Sequence, residues 1–281
     1  IFLIIVIIVY LGLNQLNSEN NKNKIKDKYE KNIPEENINL VLDEKSEIER
    51  FRKIYLNEKL KFKKNTENIK ILIVGDSMAT NWVDAINQNF DLYNKKYELE
   101  HQVLEENCIK YLIKKNGSHP NCRKNNNNFL DYMSQININD VDFIYLVSGW
   151  NIQSLSNIDY FVKFLNTNKN KLVLVGNAKF TNVLRSGYSI AKNKGINKKE
   201  LAKFFYERID TTNLFINENI KNLAEKYEVN FFDEYVIYCR DEKCKIFNDN
   251  YNLYFWDADH LTSYGSNFFG MKLFDNLIKI K

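Results

Sequence analysis

Ile71-Leu72-Ile73-Val74-Gly75-Asp76-Ser77 is the stretch whose reading decides the fold. Four apolar residues, three of them β-branched, have the character of a strand buried on both faces. Gly75 then lets the backbone turn where a Cβ would be crowded. Ser77 lands at the strand's carboxyl end, and Trp82, Ala85, Ile86 and Asn89 follow at the spacing of one helical face. In an open α/β sheet, ligands bind outside the carboxyl ends of the strands. The N-terminus of the following helix presents N–H groups that can stabilise an oxyanion. Serine is also a preferred helix cap, so this stretch alone reads either as a nucleophile or as a cap.

Outward from it, the chain alternates between the two periodicities. Further strands are predicted at 97–103, 143–147, 172–175 and 229–232, with helical patterns at 79–89, 129–133, 160–165, 213–227 and 264–278. Alternation of this kind implies a mostly parallel sheet with helices on both faces. The expected fold class is therefore α/β: a three-layer α/β/α sandwich around a mostly parallel five-stranded sheet. Residues 116–128 read as loop, with a polar Asn125–Asn128 tract, and residues 179–198 lack clear periodicity. Either could reach a substrate or simply be solvated.

Ahead of this region, residues 14–68 are polar and charged, with a possible helix in 42–62 that carries Ile48, Phe51, Ile54 and Tyr55 on one side. It reads as a linker, part of which packs on the following domain. Ile1 to Leu13 are almost entirely apolar, shorter than the about 20 residues that span a bilayer. The expectation is the end of a transmembrane helix; a signal-peptide core and a buried core helix are the alternatives. The expected division is 1–16 membrane segment, 17–68 linker and 69–281 catalytic domain.

Composition excludes little except nucleic acid. Forty Lys and Arg stand against 36 Asp and Glu, a net charge of +4 with no clustered basic face. Four cysteines form two local pairs, Cys108 with Cys122 and Cys239 with Cys244, the second flanking the polar turn Arg240-Asp241-Glu242-Lys243. Two disulfides and an oxidising compartment are expected. A zinc site is the alternative, although neither pair has the C-x₂-C spacing. Lys22, Lys24, Lys26, Lys28 and Lys31 point instead to a cytoplasmic flank; the cysteines are given more weight.

The chemistry is suggested at the far end, in Phe255-Trp256-Asp257-Ala258-Asp259-His260-Leu261. Of the histidines His101, His119 and His260, only the last has an aspartate three residues before it, with a polar turn and a closing helix after it. Asp257 could hold Nδ1–H while Nε2 takes a proton from a serine hydroxyl. Asp259, adjacent to His260, is expected to point elsewhere. A surface turn with a solvated histidine is the commoner meaning of such a run. The strand at 143–147 continues into Ser148-Gly149-Trp150-Asn151. There the Asn151 amide could face a developing oxyanion or merely form an Asx turn.

Gly-Asp-Ser, Gly-x-Asn and Asp-x-x-His-Leu, in that order, resemble the SGNH hydrolase family over residues 69–281. The Cys239/Cys244 pair ahead of Trp256-Asp257-Ala258-Asp259-His260-Leu261, with Ser263 and Gly265 after it, is most similar to extracytoplasmic SGNH domains fused to acyltransferase-3 membrane domains. The resemblance implies Ser77 as nucleophile, His260 as general base and acid, and Asp257 as its orienting carboxylate. It implies an oxyanion hole from the Ser77 N–H, Asn151 and a second glycine; Gly117 is the only glycine between Ser77 and Gly149. Trp150 is the expected substrate contact. No cofactor or metal is expected. The implied activity is transfer of an acyl group, acetyl by resemblance, from a donor delivered by a membrane domain to hydroxyls of a cell-envelope glycan. A membrane-anchored carbohydrate esterase and a non-catalytic envelope-binding module are the alternatives.

Overall fold

A computed structural model describes residues 44–57, 67–112, 120–165, 171–181, 197–250 and 252–277. The expected membrane segment at 1–16 and most of the linker lie outside these residues. No described helix is long and apolar enough to cross a membrane.

Five parallel strands form the sheet: β1 (Ile69–Gly75), β2 (Tyr97–Val103), β3 (Phe143–Val147), β4 (Leu172–Gly176) and β5 (Asn230–Asp233). Their order is β2-β1-β3-β4-β5. All five predicted strands are present, within a residue or two at each end. The helices longer than one turn among the described residues are α1 (Glu44–Asn57), α2 (Ser77–Gln88), α3 (Pro120–Gln135), α4 (Ser156–Leu165), α5 (Lys198–Tyr206), α6 (Thr211–Tyr227) and α7 (Ser263–Asn276). The three layers follow from the period of two within each strand. Ile71, Ile73, Tyr145, Val147, Val173 and Val175 face one core with Trp82 of α2, Phe205 of α5 and Phe269 of α7. Leu72, Val74, Ile144, Leu146, Leu172 and Leu174 face the other, with Phe129 of α3, Phe161 of α4 and Ile220 of α6.

Two readings change. The stretch expected as loop at 116–128 is helical from Pro120 onward. Proline is favoured in a first turn, where its missing N–H costs no bond. The asparagines then work on the loop after β2: Asn125 Oδ1 accepts from the Glu105 N–H at 3.2 Å, and Asn126 Nδ2 donates to the Cys108 carbonyl at 3.0 Å. Cys122 joins the same loop through a disulfide to Cys108. Helix α5 lies outside the helical patterns of the sequence; Asn197 caps it, and Leu201 and Phe205 bury one face.

The second disulfide, Cys239–Cys244, crosses a two-residue hairpin of Cys239–Arg240 and Lys243–Cys244. All four cysteines are thereby paired, which removes the zinc alternative.

Gly75 has a reason beyond the turn. A Cβ there would lie 1.7 Å from the Val147 carbonyl oxygen. Only glycine lets β1 and β3 run this close where the strand order reverses, which is the crevice where α/β sheets bind ligands.

Candidate active site

The site is assembled from three strand exits and the loop before α7. Asp76 follows β1 and caps α2, its Oδ1 accepting from the Met78 N–H at 2.9 Å. The Gly149 N–H, just past β3, donates to the same carboxylate, at 2.9 Å to Oδ2 and 3.1 Å to Oδ1. Asp76 thus ties the serine-bearing turn to the Gly149–Asn151 turn. Burial pushes its carboxyl up to about 7; the Met78 and Gly149 N–H groups pull the other way, and Glu106 and Glu105 add to the rise.

Ser77 is the first residue of α2, and its Oγ lies 3.3 Å from His260 Nε2. His260 Nδ1 lies 2.8 Å from Asp257 Oδ2. The other Asp257 oxygen accepts the backbone N–H of Asp259 at 3.0 Å and of His260 at 2.7 Å. This Asx-type closure folds Asp257–His260 into one turn and aims both side chains together. Asn81 on α2 locks the turn from outside: its Nδ2 donates to the Asp259 carbonyl and its Oδ1 accepts from the Leu261 N–H, at 3.1 and 3.2 Å.

Asp259 does not point elsewhere. Its Oδ1 is 3.2 Å from His260 Nδ1, and its Oδ2 is 2.9 Å from Lys179 Nζ. The turn made by Asp257 brings the neighbouring carboxylate onto the same edge of the imidazole. Burial works against the imidazolium, but hydrogen bonds to Asp257 and Asp259 outweigh it and lift His260 to about 9.

Helix α1 adds residues that no motif marked. The Phe51 ring meets the His260 ring edge-on at 5.0 Å, and Trp256 stacks on its face at 5.1 Å. Arg50 donates to the Leu261 carbonyl at 2.9 Å and pairs with Asp84; Glu47 accepts from the N–H and hydroxyl of Ser263. The signal was present as Glu47, Arg50, Phe51 and Ile54 on one helical face, but the charged helix gave no indication of its partner.

The remaining candidates are distributed as follows. Asn151 Oδ1 accepts from the Ser154 N–H at 2.9 Å, an Asx turn that leaves its Nδ2 as the donor end of the amide. Trp150 is 5% exposed and packs in the core with Leu72 and Val74, so its indole is a packing group and not an open substrate platform. Gly117 and His119 lie outside the described residues, and His101 is buried on β2. Among the described residues, two groups are compact enough for a cation, Asp257/Asp259/His260 and Asp76/Glu105/Glu106. In the first, the ligating atoms are already engaged with one another; in the second, both Asp76 oxygens accept backbone N–H groups.

A parallel sheet in this order, with a strand-end serine, an imidazole and a carboxylate in line, defines an SGNH-type α/β protein. The chain belongs to the family of SGNH domains fused to AT3 domains, whose model matches residues 47–273 and so takes in most of α1. Among solved structures it is similar to the periplasmic domain of a lipopolysaccharide acetyltransferase from Salmonella ser. Paratyphi A. The TM-score is 0.61 at 16% identity, over 86% of this chain and 99% of that one. Est24, a carbohydrate acetylesterase from Sinorhizobium meliloti, aligns at TM-score 0.43 and 12% identity, over 75% of this chain and 99% of that one. An aryl esterase from M. smegmatis aligns at TM-score 0.43 and 13% identity, over 76% of this chain and all of that one (100%). No curated protein matches.

Proposed function

We propose that this domain transfers an acyl group, acetyl in the first instance, through an ester on Ser77 to a hydroxyl of a cell-envelope glycan. The observation that carries it is the line Ser77 Oγ–His260 Nε2, 3.3 Å, continued from His260 Nδ1 to Asp257 at 2.8 Å. Neutral His260 takes the Ser77 proton as Oγ attacks the donor's carbonyl carbon. The tetrahedral oxyanion sits at the N-terminus of α2, facing the Ser77 N–H, with Asn151 Nδ2 as the second donor and Gly117 as a candidate third. Collapse expels the donor's leaving group, which His260 protonates. The acceptor hydroxyl then gives its proton to His260, attacks the Ser77 ester and restores the serine. Asp257 holds the imidazole in register throughout.

The family, and the acetyltransferase named for the Salmonella structure, support this choice of acyl group and acceptor. Fusion to AT3 domains supports a membrane partner that delivers the donor, and two disulfides support an extracytoplasmic placement. Residues 17–68 serve as the tether, with α1 docked on the catalytic unit and 69–281 as that unit.

The first half-reaction is shared with an esterase, so one experiment separates the two. The protein is incubated with an acetyl ester donor and a glycan acceptor, and products are identified by mass spectrometry. Acetylated acceptor is expected; free acetate alone would assign the domain to hydrolysis. Ser77→Ala is expected to abolish both products, by at least about 10³-fold, with the circular dichroism spectrum unchanged.

A further inference from the structure

His260 Nδ1 carries one proton and faces two carboxylates. Asp257 Oδ2, at 2.8 Å, takes the shorter branch, and Asp259 Oδ1, at 3.2 Å, takes the longer. The free end of Asp259 is held by Lys179 Nζ at 2.9 Å. Lys179 is not a loose surface lysine, because its backbone is held on both sides by Tyr235. The Lys179 N–H donates to the Tyr235 hydroxyl at 3.0 Å, and that hydroxyl donates to the Lys179 carbonyl. The next residue, Phe180, donates its N–H to the Ala258 carbonyl at 2.9 Å, inside the Asp257–His260 turn. The exit of β4 is thereby fastened to the histidine turn through both backbone and side chain.

We propose that Asp259 and Lys179 are positioning residues for the general base. Asp259 is a second acceptor that narrows the swing of the imidazole, and Lys179 holds that carboxylate in place and offsets its charge. The inference rests on the Ser77–His260–Asp257 reading and deepens it. Two uncompensated anions at Nδ1 would hold the imidazolium too firmly for a base that must release its proton to the leaving group. The Lys179 cation draws off part of the Asp259 field. The other charges around the ring are accounted for. From α1, Arg50 is engaged by Glu47 and by Asp84 of α2. Glu234 and Asp259 repel each other, and Asp210 and Asp257 act on Lys179 alongside Asp259. Asp76 is turned to Met78 and Gly149.

The test uses the full chain and four variants: Asp259→Asn, Lys179→Met, the double variant and Ser77→Ala. The His260 titration is followed by NMR of the imidazole, and the acid limb of kcat/KM by hydrolysis of 4-nitrophenyl acetate. Asp259→Asn is expected to lower the His260 midpoint by roughly 1 pH unit and Lys179→Met to raise it, since an opposite or like charge at this range moves a pKa by about that much or more. The double variant is expected to match Asp259→Asn, because Lys179 acts through that carboxylate; Lys179→Arg restores the wild-type midpoint. Unmoved midpoints, shifts of the same sign, or a Lys179 effect that survives in the Asp259→Asn background overturns the proposal. If Ser77→Ala hydrolyses the ester as the wild type does, the triad reading itself falls; if Ser77→Ala is dead and the midpoints do not move, only the positioning role falls.

Discussion

Asp76 makes more of the site than its neighbour Ser77 does. One carboxylate caps α2 and receives the Gly149 N–H, so the nucleophile turn and the Asn151 turn share a single anchor. Asp76→Asn presents an amide donor to the Gly149 N–H and drives the two turns apart. Because about 1 Å of misplacement can cost on the order of 10²-fold, kcat is expected to fall about 100-fold with KM little changed, in steady-state kinetics on an ester. Gly75→Ala fails for a different reason: its Cβ would meet the Val147 oxygen at 1.7 Å. The expected loss is about 3 kcal/mol in urea unfolding, the upper range for overpacking a core. His260, held near 9, must be neutral to accept the Ser77 proton. The ester hydrolysis rate is accordingly expected to rise through neutral pH, pass half its maximum at about 9 and level off only above that. A rate that falls across this range would contradict a base role for His260.

Among the elements, α1 belongs to the linker expected to pack in part on the following domain, and the surface it packs on is the histidine turn. Phe51 and Trp256 bracket the imidazole, one edge-on and one stacked. Phe51→Ala is expected to cut kcat by roughly tenfold, about 1.4 kcal/mol of barrier, while Phe51→Leu recovers part of it; the check is single-turnover acylation of Ser77. A periodic pattern reports which face of a helix is apolar, not which distant element covers it, and so α1 was legible as a helix and illegible as a neighbour of His260. The same limit hid α5, whose two buried anchors, Leu201 and Phe205, are too few to announce a helix. It also hid the early start of α3, whose polar asparagines face the loop after β2 and not solvent. The hairpin at Cys239–Cys244 offers an element-level gain. Asp241 and Glu242 both have positive φ, 50° and 56°. Replacing them with Asn-Gly suits that turn and is expected to raise stability by about 0.5–1 kcal/mol, read by non-reducing thermal melts.

For the whole molecule, two buried carboxyls and the half-buried His260 set one trend with pH. Asp76 and Glu234 are both raised by burial to about 7, from 3.8 and 4.5. An acid whose folded pKa exceeds its unfolded one binds its proton more tightly when folded. Its contribution is therefore present at low pH and lost as pH climbs through about 7. His260 acts in the same sense: raised from 6.5 to about 9, it contributes fully below 6.5 and loses that as pH passes 9. Asp259, lowered from 3.8 to about 2, works oppositely and only below 3.8. Thermal melts are expected to show greatest stability on the acid side of neutrality and a steady decline toward pH 9, while activity rises over the same span. A melting temperature that climbs from neutral to alkaline pH would contradict this.

The sequence by itself determined the alternating strands and helices, the two cysteine pairs, and the serine, asparagine and Asp-x-x-His motifs. Each is local: a period of two or 3.6, a turn residue, a spacing within one loop. Only the tertiary structure decided what meets across the chain. It set α1 against His260, tied Asp76 to Gly149, buried Trp150 in the core and turned Asp259 onto Nδ1. Those contacts depend on how close two strands approach and how a turn closes on its own N–H groups, and such distances are written in packing and not in the order of residues.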